Sequence, residues 1–81
     1  MTTSDIKDLL EHGHEIEFNF NGKRYSFTFG EVEGKKVIAF CEFNKPDIEF
    51  ENIDEILAAE YDDFKIADAI ESLSDDDIDI F

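Results

Sequence analysis

The stretch DLLEHGH, residues 8 to 14, holds three side chains, Asp8, His12 and His14, spaced so that they could meet at one metal ion. Asp8 and His12 stand four apart, which puts both on one face of a helix, and Gly13 lets the chain turn so that His14 approaches the same point. The single cysteine, Cys41, would complete the set. Asp8, His12, His14 and Cys41 together offer the O, N and S donors of a tetrahedral site for one structural zinc ion. Against this, their order matches no standard zinc-finger spacing, and the competing reading is two histidines in a polar helix-to-strand junction. A metal staple would still help a small, highly charged domain to fold.

Other chemistry has little support. Acid–base pairs can be drawn almost anywhere among 22 acidic residues, so their presence is uninformative. There is no G-x-S-x-G, no phosphate-cradling glycine loop and no H-E-x-x-H. Cys41 with His12 or His14 could serve as nucleophile and base, but a free cysteine in an apolar strand is more often core. The expectation is a protein that is not an enzyme.

The elements that must position these residues follow from periodicity. Ser4 is a candidate N-cap, Ile6, Leu9 and Leu10 form an apolar stripe, and Gly13 stops a helix spanning roughly residues 4 to 12. From His14 the period becomes two: Ile16, Phe18 and Phe20 alternate with polar residues, as do Tyr25, Phe27 and Phe29 after Asn21-Gly22. Asn-Gly between alternating runs signals a tight hairpin, pairing Phe20 with Lys23, Phe18 with Tyr25, Ile16 with Phe27 and His14 with Phe29. Phe18, Phe27 and Phe29 are thus expected on one buried face.

A third strand, Lys35 to Phe43, has no clear facing because Ile38 and Phe40 compete with Val37, Ala39, Cys41 and Phe43. Gly30 is a candidate bulge that would reset the phase. Residues 47 to 51 alternate like an edge strand guarded by acids. Asn52 and Glu55 have capping-box spacing before a helix carrying Ile56, Leu57 and Tyr61, and Ile66, Ala69, Ile70 and Leu73 mark another helix. Ser74 and Asp77 repeat the capping spacing, so the segment SDDDIDIF begins with a further helical turn. The expected fold class is α+β: an N-terminal helix, a three- to four-stranded antiparallel sheet and two C-terminal helices on one face, all within a single domain of residues 1 to 81.

Composition bounds the partners. Nine phenylalanines and 42% hydrophobic residues argue against disorder, although the net charge is −15. One cysteine fits a reducing compartment, no apolar run approaches the roughly 18 residues of a membrane span, and no signal peptide is apparent, so a soluble cytoplasmic protein is expected. Residues 51 to 81 hold twelve acids against Lys65 alone. Such a chain repels nucleic acid and anionic membranes, and its natural complement is a basic protein. The candidate partner-binding residues are Glu51, Asp54, Glu55, Glu60, Asp62, Asp63, Asp68, Glu71, Asp75, Asp76, Asp77 and Asp79, with Phe81 as an apolar anchor. B-DNA carries one negative charge per roughly 1.7 Å of axis, so an acidic domain of this kind can act as a DNA mimic. Ordinary solubility is the plainer use for the same charge.

The hairpin EIEFNFNGKRYSFTF, residues 15 to 29, followed by the acidic half from Glu51 to Phe81, resembles in type the small acidic inhibitors encoded by phages and mobile elements, particularly anti-CRISPR proteins against type II RNA-guided nucleases. The resemblance lies in size, charge and element order and carries no residue-by-residue correspondence. It implies a cytosolic inhibitor that binds a CRISPR effector nuclease by contact and blocks its nucleic-acid channel. The alternatives are an acidic inhibitor of another nucleic-acid enzyme and a small accessory subunit.

Overall fold

The first helix is fixed by its two ends. In the computed structural model, which describes residues 1–81, α1 spans Thr3–Glu11 and is capped by Thr2, two residues earlier than Ser4. The Thr2 hydroxyl accepts from the Asp5 N–H at 3.2 Å, and the Asp5 carboxylate accepts from the Thr2 N–H at 3.1 Å. This reciprocal box occupies donors that the first turn would otherwise leave orphaned, and it holds the Asp5 carboxyl below its ordinary range. At the far end Gly13 takes φ 82°, while Gly13 and His14 donate to the carbonyls of Leu10 and Leu9. These paired bonds are a Schellman motif, and they turn the chain into the sheet.

Strands β1 (Ile16–Phe20) and β2 (Lys23–Val32) form the expected hairpin. Asn21 and Gly22 sit at φ 52° and 75°, the two positive values a type I′ turn requires, and Phe18 pairs with Tyr25 and Ile16 with Phe27. The pairing ends there; no His14–Phe29 rung forms, because the chain has already turned from α1. Strand β3 (Lys35–Glu42) pairs with β2 in unbroken register from Tyr25–Glu42 to Val32–Lys35. Gly30 faces Val37 within that ladder, so it is a regular rung and not a bulge. The register also settles the facing of β3, since Ile38 and Phe40 lie opposite Phe29 and Phe27 and share their face. Strand β4 (Ile48–Phe50) closes that edge.

Helix α2 (Ile53–Ala58) starts at Asn52, whose side chain accepts from the Glu55 N–H at 2.9 Å. It stops before Tyr61, which instead lies in a two-stranded hairpin of β5 (Glu60–Tyr61) and β6 (Phe64–Lys65). The turn of that hairpin is Asp62-Asp63, with Asp62 at φ 55°. Helix α3 (Ile66–Glu71) follows. Asp75–Asp77 make a 3-10 turn, closed by Asp77 accepting from the backbone and hydroxyl of Ser74. Strand β7 (Ile78–Ile80) then pairs antiparallel with β1, placing Ile78 beside Phe18 and Ile80 beside Ile16. The main sheet therefore has five strands in the order β4-β3-β2-β1-β7, one or two more than the sequence indicates.

All three helices cover one face of this sheet. Ile6 and Leu10 of α1, Ile53 and Ile56 of α2, and Ile66 and Ile70 of α3 enter one cluster with Ile16, Phe18, Tyr25, Phe27, Ile38 and Phe40. The rings lie close: 5.0 Å between the centroids of Phe27 and Phe40, 5.5 Å between Phe18 and Tyr25, and 5.1 Å between Phe40 and Tyr61. Phe18 and Phe27 are fully buried, but Phe29 is 39% exposed. The β2–β3 hairpin reaches beyond the helices, so its Phe29 end lacks a lid. No helix is long and apolar enough to cross a membrane.

Phe27→Ala should therefore cost about 3–5 kcal/mol by leaving a cavity in the ring cluster, whereas Phe29→Ala should cost under about 1 kcal/mol. Urea denaturation of both variants checks this; equal losses would contradict the uneven cover of the aromatic face.

Candidate protein-interaction surface

The residues considered for metal binding end in different places. His12 caps the C-terminus of α1, its Nδ1 2.7 Å from the Asp8 carbonyl and 3.6 Å from the Asp8 carboxylate. That pair meets as the i, i+4 spacing requires. His14 instead directs Nδ1 to the Phe81 backbone oxygen at 2.8 Å, joining the α1–β1 junction to the segment after β7. Cys41 points to the helix-free face of the sheet, where its Sγ lies 3.6 Å from the Ser26 hydroxyl. The sheet thus stands between Cys41 and α1. Nowhere do three or more His, Cys, Asp or Glu side chains gather in a metal-holding group. The same separation keeps Cys41 from either histidine as a nucleophile–base pair.

The acidic residues of the C-terminal half share a common fate. Eleven of the twelve are exposed and Asp77 is half-buried. Asp54 is paired with Lys7 of α1 at 3.1 Å, and Asp79 with Arg24, while the other ten have no cationic partner. They are spread from Glu51, just after β4, over the outside of α2 and α3, the β5–β6 hairpin with its Asp62-Asp63 turn, and the 3-10 turn. Asp77 differs in role, because its carboxylate closes the turn that delivers β7 to the sheet. Phe81 is 63% exposed, yet its backbone N–H donates to Glu15 at 2.9 Å. Its ring is therefore free to touch a partner while its main chain is held.

Sequence reasoning missed the helix-free face. There Arg24 donates to Glu17 at 2.8 Å, to Asp79 and to Asn19 at 3.1 Å, and its guanidinium lies 5.6 Å from the centroid of the Phe43 ring. Asp79 foremost, and then Glu17, hold the guanidinium proton more tightly than in a free arginine. One side chain so links β1, β2 and β7. The only sequence signal was alternation, which places Arg24, Glu17 and Asp79 on one face once the register is known. Around them Ser26 and Ala39 are recessed, with Glu17 on one side and Glu49 on the other.

Comparison with protein-family models, with curated proteins and with solved structures gives no match.

Two outcomes follow from these contacts. Arg24→Ala should destabilise the fold by about 1–2 kcal/mol, the range of partly exposed charge-assisted bonds, and hydrogen exchange should quicken first at Ile78 and Ile80. Uniform loss across the sheet would show that Arg24 does not secure β7. His12 has a pKa raised above 6.5, first by its hydrogen bond to the Asp8 carbonyl and next by the Asp8 charge. A raised folded-state pKa adds stability that is complete below the unfolded value and is lost as pH climbs through the folded value. Asp8→Asn should lower the His12 midpoint in an NMR titration and flatten that pH dependence; an unmoved midpoint would assign the whole shift to the backbone carbonyl.

Proposed function

We propose that this protein is an acidic protein-binding inhibitor, an anti-CRISPR protein that works in the cytoplasm, binds a type II CRISPR effector nuclease and blocks its nucleic-acid loading. One observation carries the reading. Nine exposed carboxylates of the C-terminal half, and the half-buried Asp77, have no cation to neutralise them, although four of the chain's seven lysines and arginines form no ion pair. Uncompensated like charge destabilises a compact state, so a patch that a fold maintains at that cost suits an opposing positive surface. The channel that holds guide and target in such nucleases is one. Inhibition proceeds by occupation of that channel, without bond-making, and the proposal involves no metal.

Division of labour within the segment 75–81 gives the test. Asp75 and Asp76 are exposed and make no side-chain hydrogen bond or ion pair, whereas Asp77 is structural. Rim charge mainly sets association rate, and a buried apolar anchor mainly sets residence time. Asp75→Asn with Asp76→Asn should slow association with a guide-loaded type II effector nuclease about three- to tenfold at low salt and flatten the salt dependence. Phe81→Ala should speed dissociation and leave the melting temperature within a few degrees. Rates equal to the parent at low and physiological salt for both variants would remove this segment from the interface, and absence of any binding by the parent would remove the target.

A further inference from the structure

The overhang of the β2–β3 hairpin leaves a cleft of about 610 Å³ between it and the C-terminal end of α1. Its floor and wall are Leu10, Ile38 and Phe29, and its rim carries Glu11, Glu31 and Glu51. The three differ in exposure. Leu10 and Ile38 are buried beneath it, while the Phe29 ring stands 39% exposed. None of the rim carboxylates has an ion-pair partner, and the one cation on the lining, Lys36, makes no ion pair either.

An apolar wall below three carboxylates and a single lysine, Lys36, is a mixed demand with a net negative charge. A wholly apolar guest would leave the acids unanswered, and a small inorganic cation would leave the phenyl ring and the leucine in water. The side chain that meets both has a hydrocarbon stem and a cationic head. Arginine fits better than lysine, because its planar guanidinium is more weakly hydrated and stacks on aromatic faces as well as binding carboxylates.

We propose that the cleft between α1 and the overhanging β2–β3 hairpin seats an arginine of a basic partner protein, its stem on Phe29 and its guanidinium among Glu11, Glu31 and Glu51. The site deepens the reading of an acidic protein-binding inhibitor, on which it rests for the nature of the partner. It extends the contact region from Glu51 of the C-terminal half to Glu11, Phe29 and Glu31 in the first half of the chain. A second copy of this chain is the poorer occupant, since each copy carries a net charge of −15 and the rims would repel.

The probe is a short Gly/Ser peptide with one central arginine, compared with the same peptide carrying citrulline, an uncharged side chain of the same shape, and with a lysine version. Amide shifts in isotope-labelled protein should concentrate at Leu10, Gly13, Phe29, Glu31 and Ile38, and citrulline should bind at least about tenfold more weakly. Phe29→Ala should weaken the arginine peptide about fivefold and Glu11→Gln/Glu31→Gln/Glu51→Gln about tenfold. The charge-matched control Glu33→Gln/Asp47→Asn/Glu49→Gln should bind as the parent does. Shifts spread over the helical acids, equal binding of citrulline, equal weakening by the control, or a concentration-dependent dimer that protects Phe29 would each overturn the site. Loss of the site with nuclease binding intact leaves the inhibitor reading standing, whereas a localised arginine site in a protein that ignores the nuclease removes that target alone.

Discussion

Four rings, Phe18, Tyr25, Phe27 and Phe40, set what the rest of the molecule can do. They come from three adjacent strands and stack across them, with Tyr25 and Phe40 nearly parallel at 5.8 Å. Large rings on neighbouring strands leave a broad, uneven apolar surface, and three short helices with isoleucine stripes suffice to cover it. Helices of six residues such as α2 and α3 would not persist alone in water. They exist because the rings give them something to bury against.

That dependence explains how the charge is tolerated. Most cross-element ion pairs that do form are placed where they hold elements to one another: Lys7 joins α1 to α2, and Arg24 joins β7 to β1 and β2. The remaining acids stand on the outer surfaces of helices and turns whose inner surfaces are already fixed by isoleucine and aromatic contacts. Repulsion among them therefore loads a core dominated by ring packing, and salt relieves it without changing the packing. Apart from Asp54, Asp77 and Asp79, whose carboxylates hold elements together, fold and charge are separated by layer, so the acidic surface can be varied with little effect on the register beneath.

The parts of this arrangement that were legible from sequence are those governed by local chemistry. Asn21-Gly22 gave the turn of the first hairpin and its register as far as Ile16 with Phe27, and Asn52 with Glu55 and Ser74 with Asp77 marked two starts correctly, because each signal lies within a few bonds of the structure it makes. Facing in β3 was opaque since both sets of alternating residues are apolar, and only pairing with β2 decides between them. Strand β7 was hidden for a different reason: three residues following a run of aspartates have no strand signal of their own until β1 offers an edge. Tyr61 seemed helical by spacing, but it lies in a small hairpin, where its ring packs edge-on against Phe40 and its hydroxyl accepts from the Glu42 N–H. Of the candidate site, the exposed acids were readable from composition, whereas the Phe29 cleft and the Arg24 bridge arise from where elements end.

The pairing of β1 with β7 has a further consequence during synthesis. Strand β1 is complete once residue 20 has been made, yet its outer neighbour is residues 78 to 80. While the chain is still growing, Ile16 and Phe18 therefore sit on an open strand edge, able to accept any extended segment that drifts past. Glu15 borders that edge with a negative charge that nascent copies of the same protein also bear, which disfavours pairing between them before each closes its own sheet.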